Sequence, residues 1–211
     1  MNKKVIQSVA FIAFIGVAIT SLYYGGVFGN SSSQSQDSTP SQQSQRTAQE
    51  VNILKYSDYQ CPACKAYIPL EEQLKTEFGD MIEIEYRYFP LSGHQYADLA
   101  ARTAEAARQQ DKFEEMHDLI FEYQEQWSRG EAREYFFNFA EQIGLNMNQF
   151  ESDLESEEVQ QTVNSQLQEG IRRTVNSTPT YFLNGQKLRQ NPQNYEQFKA
   201  IVELYMYRSD G

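Results

Sequence analysis

The only two cysteines of the 211-residue chain lie close together in the stretch YQCPACKAY. Three kinds of chemistry suit Cys61 and Cys64: a structural disulfide, part of a metal site, or a reactive dithiol. A structural disulfide here would close nearly the shortest possible loop and would restrict the unfolded chain very little. A zinc site needs about four ligands, and the two histidines, His94 and His117, are too far apart for the usual ligand spacing. The pattern therefore favours redox chemistry, with Cu(I) binding by the two thiolates as the alternative.

The segments around the cysteines predict that they lie at the start of a helix. Residues 51–57 (VNILKYS) are apolar and β-prone, and residues 62–78 have helical spacing that a Gly-Asp pair ends. Residues 81–89 alternate between apolar and charged side chains, which indicates a second strand, parallel to the first. Cys61 would then cap the helix, where unpaired N–H groups and the helix dipole lower the pKa of its thiol. Cys64, one turn into the helix, would be shielded and would resolve a mixed disulfide.

The rest of the chain predicts a block of helices followed by a hairpin. Between about 93 and 173 the periodicity is helical, most clearly in KFEEMHDLIFE. TYFL and QKLR flank Asn184-Gly185, the strongest short-range signal for a β-hairpin, and residues 194–207 form a last amphipathic helix. The order βαβ, helical insertion, ββα is the layout of an α/β thioredoxin fold. Residues 51–211 are therefore predicted to form one domain of that fold.

The motifs CPAC, FPL…H, KFEEMHDLIFE and STPTYFLNG together resemble DsbA-like thiol–disulfide oxidoreductases, in particular their membrane-tethered, thioredoxin-like branch. The resemblance covers about residues 50–207 and implies that Cys61 and Cys64 form a redox-active disulfide without a cofactor. It also implies that Thr178 and a cis Pro179 form the edge that binds the client polypeptide. The implied partners are unfolded or partly folded secreted proteins with thiols, and a quinone-linked membrane oxidase that recharges the disulfide.

Four further positions are candidates for tuning the pKa of the two thiols. Lys55 stands six residues before Cys61, where relatives often carry a buried glutamate that relays the proton of the resolving cysteine. Lys55 could lower the pKa of a nearby thiolate, or it could be a strand-end lysine that reaches solvent. Asp58 is either an alternative acid or a turn residue. Pro62 suits the first helical turn. The Pro62-Ala63 pair lacks the histidine of strongly oxidising relatives, which implies a more modest potential.

Three other polar residues near these motifs receive structural interpretations. His117 falls on the core-facing stripe of its predicted helix, so we expect it to pack or to form an internal hydrogen bond. His94 precedes a predicted helix start, where a capping or loop role is expected rather than catalysis. Ser177 stands where the resembling family often has a glycine before the Thr-Pro pair.

The N-terminus predicts a membrane anchor. After a short cytoplasmic tail (residues 1–4) with two lysines, residues 5–28 carry no charge and are long enough to span a bilayer. The alternative is a cleaved signal peptide, which has a shorter apolar region. Residues 29–50 are rich in Ser and Gln and predict a disordered linker. The catalytic domain is therefore expected at the cell membrane on the extracytoplasmic side.

The charge of the chain disfavours binding to nucleic acid. Lys and Arg number 18 against 29 Asp and Glu, a formal net charge of −11, and most charged residues lie beyond residue 50. Nucleic acids and anionic lipid surfaces require clustered Lys and Arg. The sequence as a whole predicts an anchored thiol–disulfide oxidoreductase that oxidises secreted proteins. A reductase or isomerase of the same fold is the alternative within this class.

Overall fold

A four-stranded sheet lies at the centre of residues 47–208, the part of the chain that the computed structural model describes. The strands are β1 (Val51–Ser57), β2 (Ile82–Tyr88), β3 (Thr180–Leu183) and β4 (Gln186–Lys187). They lie in the spatial order β2-β1-β3-β4, with β1 parallel to β2 and antiparallel to β3, and β3 antiparallel to β4. The predicted α/β fold with a βαβ half and a ββα half is confirmed.

Helices follow the first and the last strand, and a block of helices forms the predicted insertion between β2 and β3. The helices are α1 (Pro62–Phe78), α2 (Ala97–Arg108), α3 (Phe113–Glu122), α4 (Gln124–Trp127), α5 (Ala132–Gln142), α6 (Met147–Leu154), α7 (Glu157–Arg172) and α8 (Tyr195–Met206). A short 3-10 turn, Gly79–Met81, joins α1 to β2. The insertion therefore consists of α2 to α7, and α8 closes the fold.

Local sequence explains where the decisive elements begin and end. Cys61 has extended backbone angles and caps α1, and the proline that follows fits the first helical position because its missing N–H would have no partner there. Asn184 and Gly185 have φ angles of 44° and 78°. Positive φ at both central residues is what a two-residue hairpin turn requires, so the Asn-Gly pair fixes the register of β3 and β4.

The core divides into clusters on the two faces of the sheet and within the insertion. On one face of β1, Ile53 packs in a cluster with Leu74 of α1 and Phe198 of α8. On the other face, Tyr56 packs with Phe89 and neighbouring apolar residues. The insertion has its own cluster, which also contains Tyr59, Cys61 and Cys64 and includes Met116, Ile120, Trp127, Phe136 and Phe150. The helical block and the cysteine pair thus share one continuous core.

Several predictions for the N-terminus concern residues that the structure does not describe. The predicted tail, the anchor at 5–28 and most of the linker at 29–50 lie outside residues 47–208. Among the helices within the described range, none combines the length and apolar character needed to cross a membrane.

Candidate active site

The two cysteines lie where β1 passes into α1, at one end of the sheet. Cys61 is the capping residue of α1 and is 8% exposed, whereas Cys64 lies in the first turn and is fully buried. The Cys61 sulfur is 3.5 Å from the carbonyl oxygen of Thr178, in the segment that leads into β3. Both thiols are free in the structure. Of the two sulfurs, only that of Cys61 therefore lies in a residue with any exposure.

Hydrogen bonds lower the pKa of Cys61 to about 5. The largest contribution is a hydrogen bond with the Cys64 thiol, and burial of Cys61 opposes it. Thr178 and the backbone N–H groups of Ala63 and Cys64 lower the pKa further. The N–H donors belong to the first turn of α1, as expected for a sulfur at a helix N-terminus. Ala63 therefore acts through its backbone.

The pKa of Cys64 is raised well above its ordinary value, mainly because burial disfavours a charged sulfur. Its hydrogen bond with Cys61 raises the pKa further, since that bond requires Cys64 to keep its proton. The charge of Lys55 and the backbone N–H of Asp58 act in the opposite direction. The two thiols of the pair are thus shifted in opposite directions by their surroundings.

The segment before β3 faces the cysteine at the helix cap. The Thr178–Pro179 peptide bond is cis. The carbonyl oxygen of Pro179 accepts a hydrogen bond of 2.7 Å from the side-chain amide of Asn191, which follows β4. The Ser177 carbonyl accepts one of 2.7 Å from the Thr180 hydroxyl. Thr178 and Pro179 are therefore held by their neighbours beside Cys61.

Lys55 does not reach solvent, so the interpretation of it as an exposed strand-end lysine is wrong. It points inward from the central strand, and its Nζ lies 2.8 Å from Oε1 of Glu71, with both side chains fully buried. The hydroxyls of Tyr86 and Tyr181 donate to the same carboxylate. Burying two charges is favourable only when each is paired and hydrogen-bonded, and here α1 supplies the partner. The positive charge acts on the pKa of Cys64.

Asp58 is a turn residue, and its side chain is fully buried between two loops. One carboxylate oxygen accepts the Gln60 N–H at 2.7 Å. The other accepts the Leu91 N–H at 2.8 Å and His94 Nδ1 at 2.7 Å. Pro62, which has no N–H to donate to a sulfur, is exposed at the first position of α1.

The histidines have the structural roles predicted for them. His117 is buried on α3 with its Nδ1 at 2.8 Å from the Tyr59 hydroxyl. Burial, reinforced by the nearby charge of Lys55, holds its pKa well below the ordinary value, so it stays neutral. His94 lies in the loop before α2 and is 28% exposed.

Two side chains that hold this site were not predicted from the sequence. Gln124, at the start of α4, donates from Nε2 to the carbonyls of Tyr59 and Cys61 at 2.6 and 3.0 Å. Glu71 is the buried partner of the strand lysine described above. Glu71 follows Cys64 by seven residues, two helical turns, on the buried face of α1, and an acidic residue in that stripe was a readable signal. Gln124 gave no such signal, because its role depends on how α4 docks.

Among residues 47–208, no three His, Cys, Asp or Glu side chains are grouped so that they could hold a metal ion. The family model described as Thioredoxin matches residues 46–204. The chain belongs to the thioredoxin family.

Solved structures of thioredoxin-like and DsbA proteins have a similar fold. A thioredoxin-like oxidoreductase from Silicibacter pomeroyi DSS-3 is 25% identical, with a TM-score of 0.62 over 74% of this chain and 86% of that one. The thiol–disulfide exchange protein alpha-DsbA2 from Wolbachia pipientis is 19% identical, with a TM-score of 0.63 over 74% and 81%. The predicted thioredoxin-like fold, the resemblance to DsbA-like proteins and the oxidoreductase class are confirmed. The membrane-tethered branch stays a prediction.

Curated relatives match only through a part of their length. The Na⁺/H⁺ antiporter NhaA 3 of Salinispora tropica is 30% identical over 153 residues, which are 72% of this chain and 22% of the antiporter. The chain thus spans about a fifth of the length of the curated relatives it matches.

Proposed function

We propose that this protein is an extracytoplasmic thiol–disulfide oxidoreductase that gives its Cys61–Cys64 disulfide to paired thiols of secreted proteins. The observation that carries the proposal is the unlike placement of the two sulfurs: Cys61 caps α1 beside the Thr178 carbonyl, whereas Cys64 is fully buried. This placement lowers the pKa of Cys61 to about 5 and raises that of Cys64. A stabilised thiolate favours the reduced pair and is a good leaving group. Both properties suit a donor of disulfides.

The transfer would proceed in two exchange steps. A client thiolate attacks the Cys61 sulfur of the oxidised pair, the bond to Cys64 breaks, and Cys64 leaves and takes up a proton. The second client thiolate then attacks the client sulfur of the mixed disulfide, and Cys61 leaves as a thiolate. The client has lost two electrons and gained one disulfide, and the pair has been reduced. Because the second step expels Cys61, its low pKa accelerates release of the oxidised client.

The client would lie along Thr178 and Pro179, which flank the one sulfur of the pair that is not fully buried. Proline has no N–H, so this edge offers neighbouring backbone groups to an extended chain without a donor competing at the sulfur. The support for this assignment is the distance of 3.5 Å between the Thr178 carbonyl oxygen and the Cys61 sulfur.

The charge-free segment at residues 5–28 supports the proposed location on the outer face of the cell membrane. A reduced pair must be reoxidised before the next cycle, and a quinone-linked membrane oxidase is the proposed acceptor of its two electrons. A membrane anchor keeps the domain near such a partner.

The decisive experiment is the reduction potential of the Cys61–Cys64 pair in the full chain, equilibrated against glutathione and its disulfide. We expect a potential well above the glutathione poise, as for proteins that donate disulfides. A potential near that of thioredoxin would overturn the oxidase direction and assign the chain to reduction of clients.

A second experiment tests the exchange chemistry itself. In Cys64→Ala, Cys61 should form a stable mixed disulfide with a peptide that carries one cysteine activated as a disulfide, because no second thiol is present to release it. Cys61→Ala should form none. Failure of Cys64→Ala to form the adduct would contradict the proposed function.

A further inference from the structure

A single carboxylate joins the loop before the cysteines to the loop after β2. The Asp58 side chain accepts three hydrogen bonds, from the Gln60 and Leu91 backbone N–H groups and from His94. A second bond between the same loops runs from the Tyr96 N–H to the Gln60 side chain at 2.7 Å. A buried carboxylate that has three donors has little freedom to rotate, so the Asp58 backbone is held in place with it.

The backbone of Asp58 contacts both cysteines. Its N–H donates to the Cys64 sulfur at 3.5 Å, and its carbonyl accepts the Cys61 N–H at 3.1 Å. A hydrogen bond with the Cys64 thiol is also the largest of the influences that lower the pKa of Cys61. The three groups form a chain in which each donor strengthens the next, from the Asp58 N–H through the Cys64 thiol to the Cys61 thiolate.

We propose that His94 and the Asp58 carboxylate act as positioning groups. Together they hold the Asp58 backbone against the two cysteines and thereby favour the reduced form of the pair. The inference rests on the proposed function and adds to it the residues that set the redox equilibrium from outside the CxxC motif. A disulfide has neither a thiolate nor a thiol donor, so the hydrogen-bonded chain through Cys64 exists only in the reduced protein. Residues that align these hydrogen-bonded groups therefore stabilise the reduced protein and not the oxidised protein.

The direction of the effect follows from this selectivity. When His94 is replaced by leucine, the carboxylate loses one of three donors and the Asp58 backbone is less constrained. The reduced pair should then lose stability relative to the disulfide. In equilibrium with glutathione, reduced protein and one glutathione disulfide give oxidised protein and two glutathione thiols. We expect His94→Leu to shift this equilibrium toward oxidised protein by about three- to tenfold, the range of one hydrogen bond.

Two further variants separate positioning from charge and from simple packing. His94→Asn retains an N–H donor toward the carboxylate but has no charge, so it should restore most of the wild-type equilibrium. Gln95→Leu changes an exposed neighbour in the same loop and should leave the equilibrium unchanged. All measurements use the full chain, with the same glutathione mixtures for each variant.

Urea unfolding of the oxidised and reduced forms distinguishes positioning from a purely structural role. Positioning predicts that His94→Leu destabilises the reduced form more than the oxidised form, by the same factor as the glutathione shift. Equal destabilisation of both forms, with an unchanged glutathione equilibrium, would overturn the inference. A shift that His94→Asn does not reverse would overturn it as well, because charge would then be the cause. If the wild-type pair itself does not exchange with glutathione, the proposed function fails first.

Discussion

At the scale of single residues, the site depends on two sulfurs in unlike surroundings. Cys61 meets the N–H groups of the first helical turn and the Cys64 thiol, while Cys64 is fully buried in the hydrophobic core of the insertion. A thiol pKa falls when donors face the sulfur and rises when burial excludes water. One turn of helix therefore separates a leaving group from a shielded thiol.

The low pKa of Cys61 predicts how the stability of the reduced protein depends on pH. The folded pKa of about 5 lies below the ordinary value of 9.0. The thiolate thus contributes its full stability above pH 9, and this contribution declines as the pH falls from 9 and is lost below pH 5. Urea unfolding of the reduced wild-type protein and of Cys61→Ser at several pH values should show a gap that grows from pH 5 to pH 9.

The oxidised protein is the control for this titration, because its Cys61 cannot ionise and its stability should lack the same trend relative to Cys61→Ser. The thiolate absorbance of the reduced protein should appear with a midpoint near the same pKa. A midpoint near 9 would contradict both the shift and the argument for easy release of the client.

The buried pair of Lys55 and Glu71 makes a second prediction at this scale. Lys55→Met leaves the carboxylate buried without its partner, and removal of one member of such a pair typically costs about 3–5 kcal/mol. The double variant Lys55→Met/Glu71→Gln removes both charges, and the amide oxygen still accepts from Tyr86 or Tyr181. It should recover much of the loss in urea unfolding.

A matched control for this cycle is the exposed pair of Lys112 and Glu115, 2.6 Å apart. Lys112→Met should change the free energy of unfolding by no more than about 1 kcal/mol. If Lys55→Met were as mild, the buried pair would not be important for stability. In either variant that lacks Lys55, the pKa of Cys64 should rise, since that charge lowers it.

At the scale of elements, the sequence predicted the strands and helices well because their signals are local. β1 and α1 have the predicted bounds, and the hairpin turns at Asn184-Gly185. Periodicity gave no information on how the elements dock. Gly170 of α7 illustrates this, because glycine is unfavourable inside a helix and periodicity gives no reason for it. The reason is how α7 packs: a Cβ at this position would lie 2.6 Å from the Phe89 ring.

The same holds for the candidate site: some of its residues could be predicted from local sequence, whereas the contacts of others depend on tertiary packing. The cysteines and the Thr-Pro pair could be read from motifs, because the functional residues lie at predictable ends of elements. The contacts of Lys55 could not, since an apolar strand gives no indication of whether its lysine meets solvent or a carboxylate. His94 and Gln124 come from loops and helix ends whose positions depend on the packing of the insertion.

Gln124 forms hydrogen bonds between the helical insertion and the loop that carries the cysteine pair. Gln124 of α4 donates to the carbonyls of Tyr59 and Cys61, both in the loop that precedes α1. Gln124→Leu would leave these buried acceptors without that donor, at about 1–3 kcal/mol. Urea unfolding should show the loss, whereas Gln126→Leu, exposed on the same short helix, should show almost none. Equal effects would mean that the connection is unimportant.

At the scale of the whole molecule, the excess of acidic side chains is the dominant electrostatic property. Anionic lipid headgroups would repel a domain with an excess of Asp and Glu. At the proposed location, this repulsion would keep the domain from lying on the lipid surface and would leave the site open to polypeptides.

The same charge predicts which clients react fastest. A net charge of −11 attracts basic polypeptides and slows the approach of acidic ones. Two peptides with the same pair of cysteines, one flanked by lysines and one by glutamates, should be oxidised at rates that differ by about tenfold or more at low salt. The Debye length falls from about 8 Å at 0.15 M salt to about 3 Å at 1 M, so the difference should largely vanish.

Oxidation of both peptides by glutathione disulfide alone corrects for the effect of the flanking charges on the peptide thiols themselves. After that correction, equal rates at low salt would contradict electrostatic steering and would leave recognition to the short-range edge at Thr178 and Pro179. A rate difference that persists at 1 M salt would instead place the selectivity in direct contacts, because screening removes long-range attraction but leaves a close, partly buried ion pair in place.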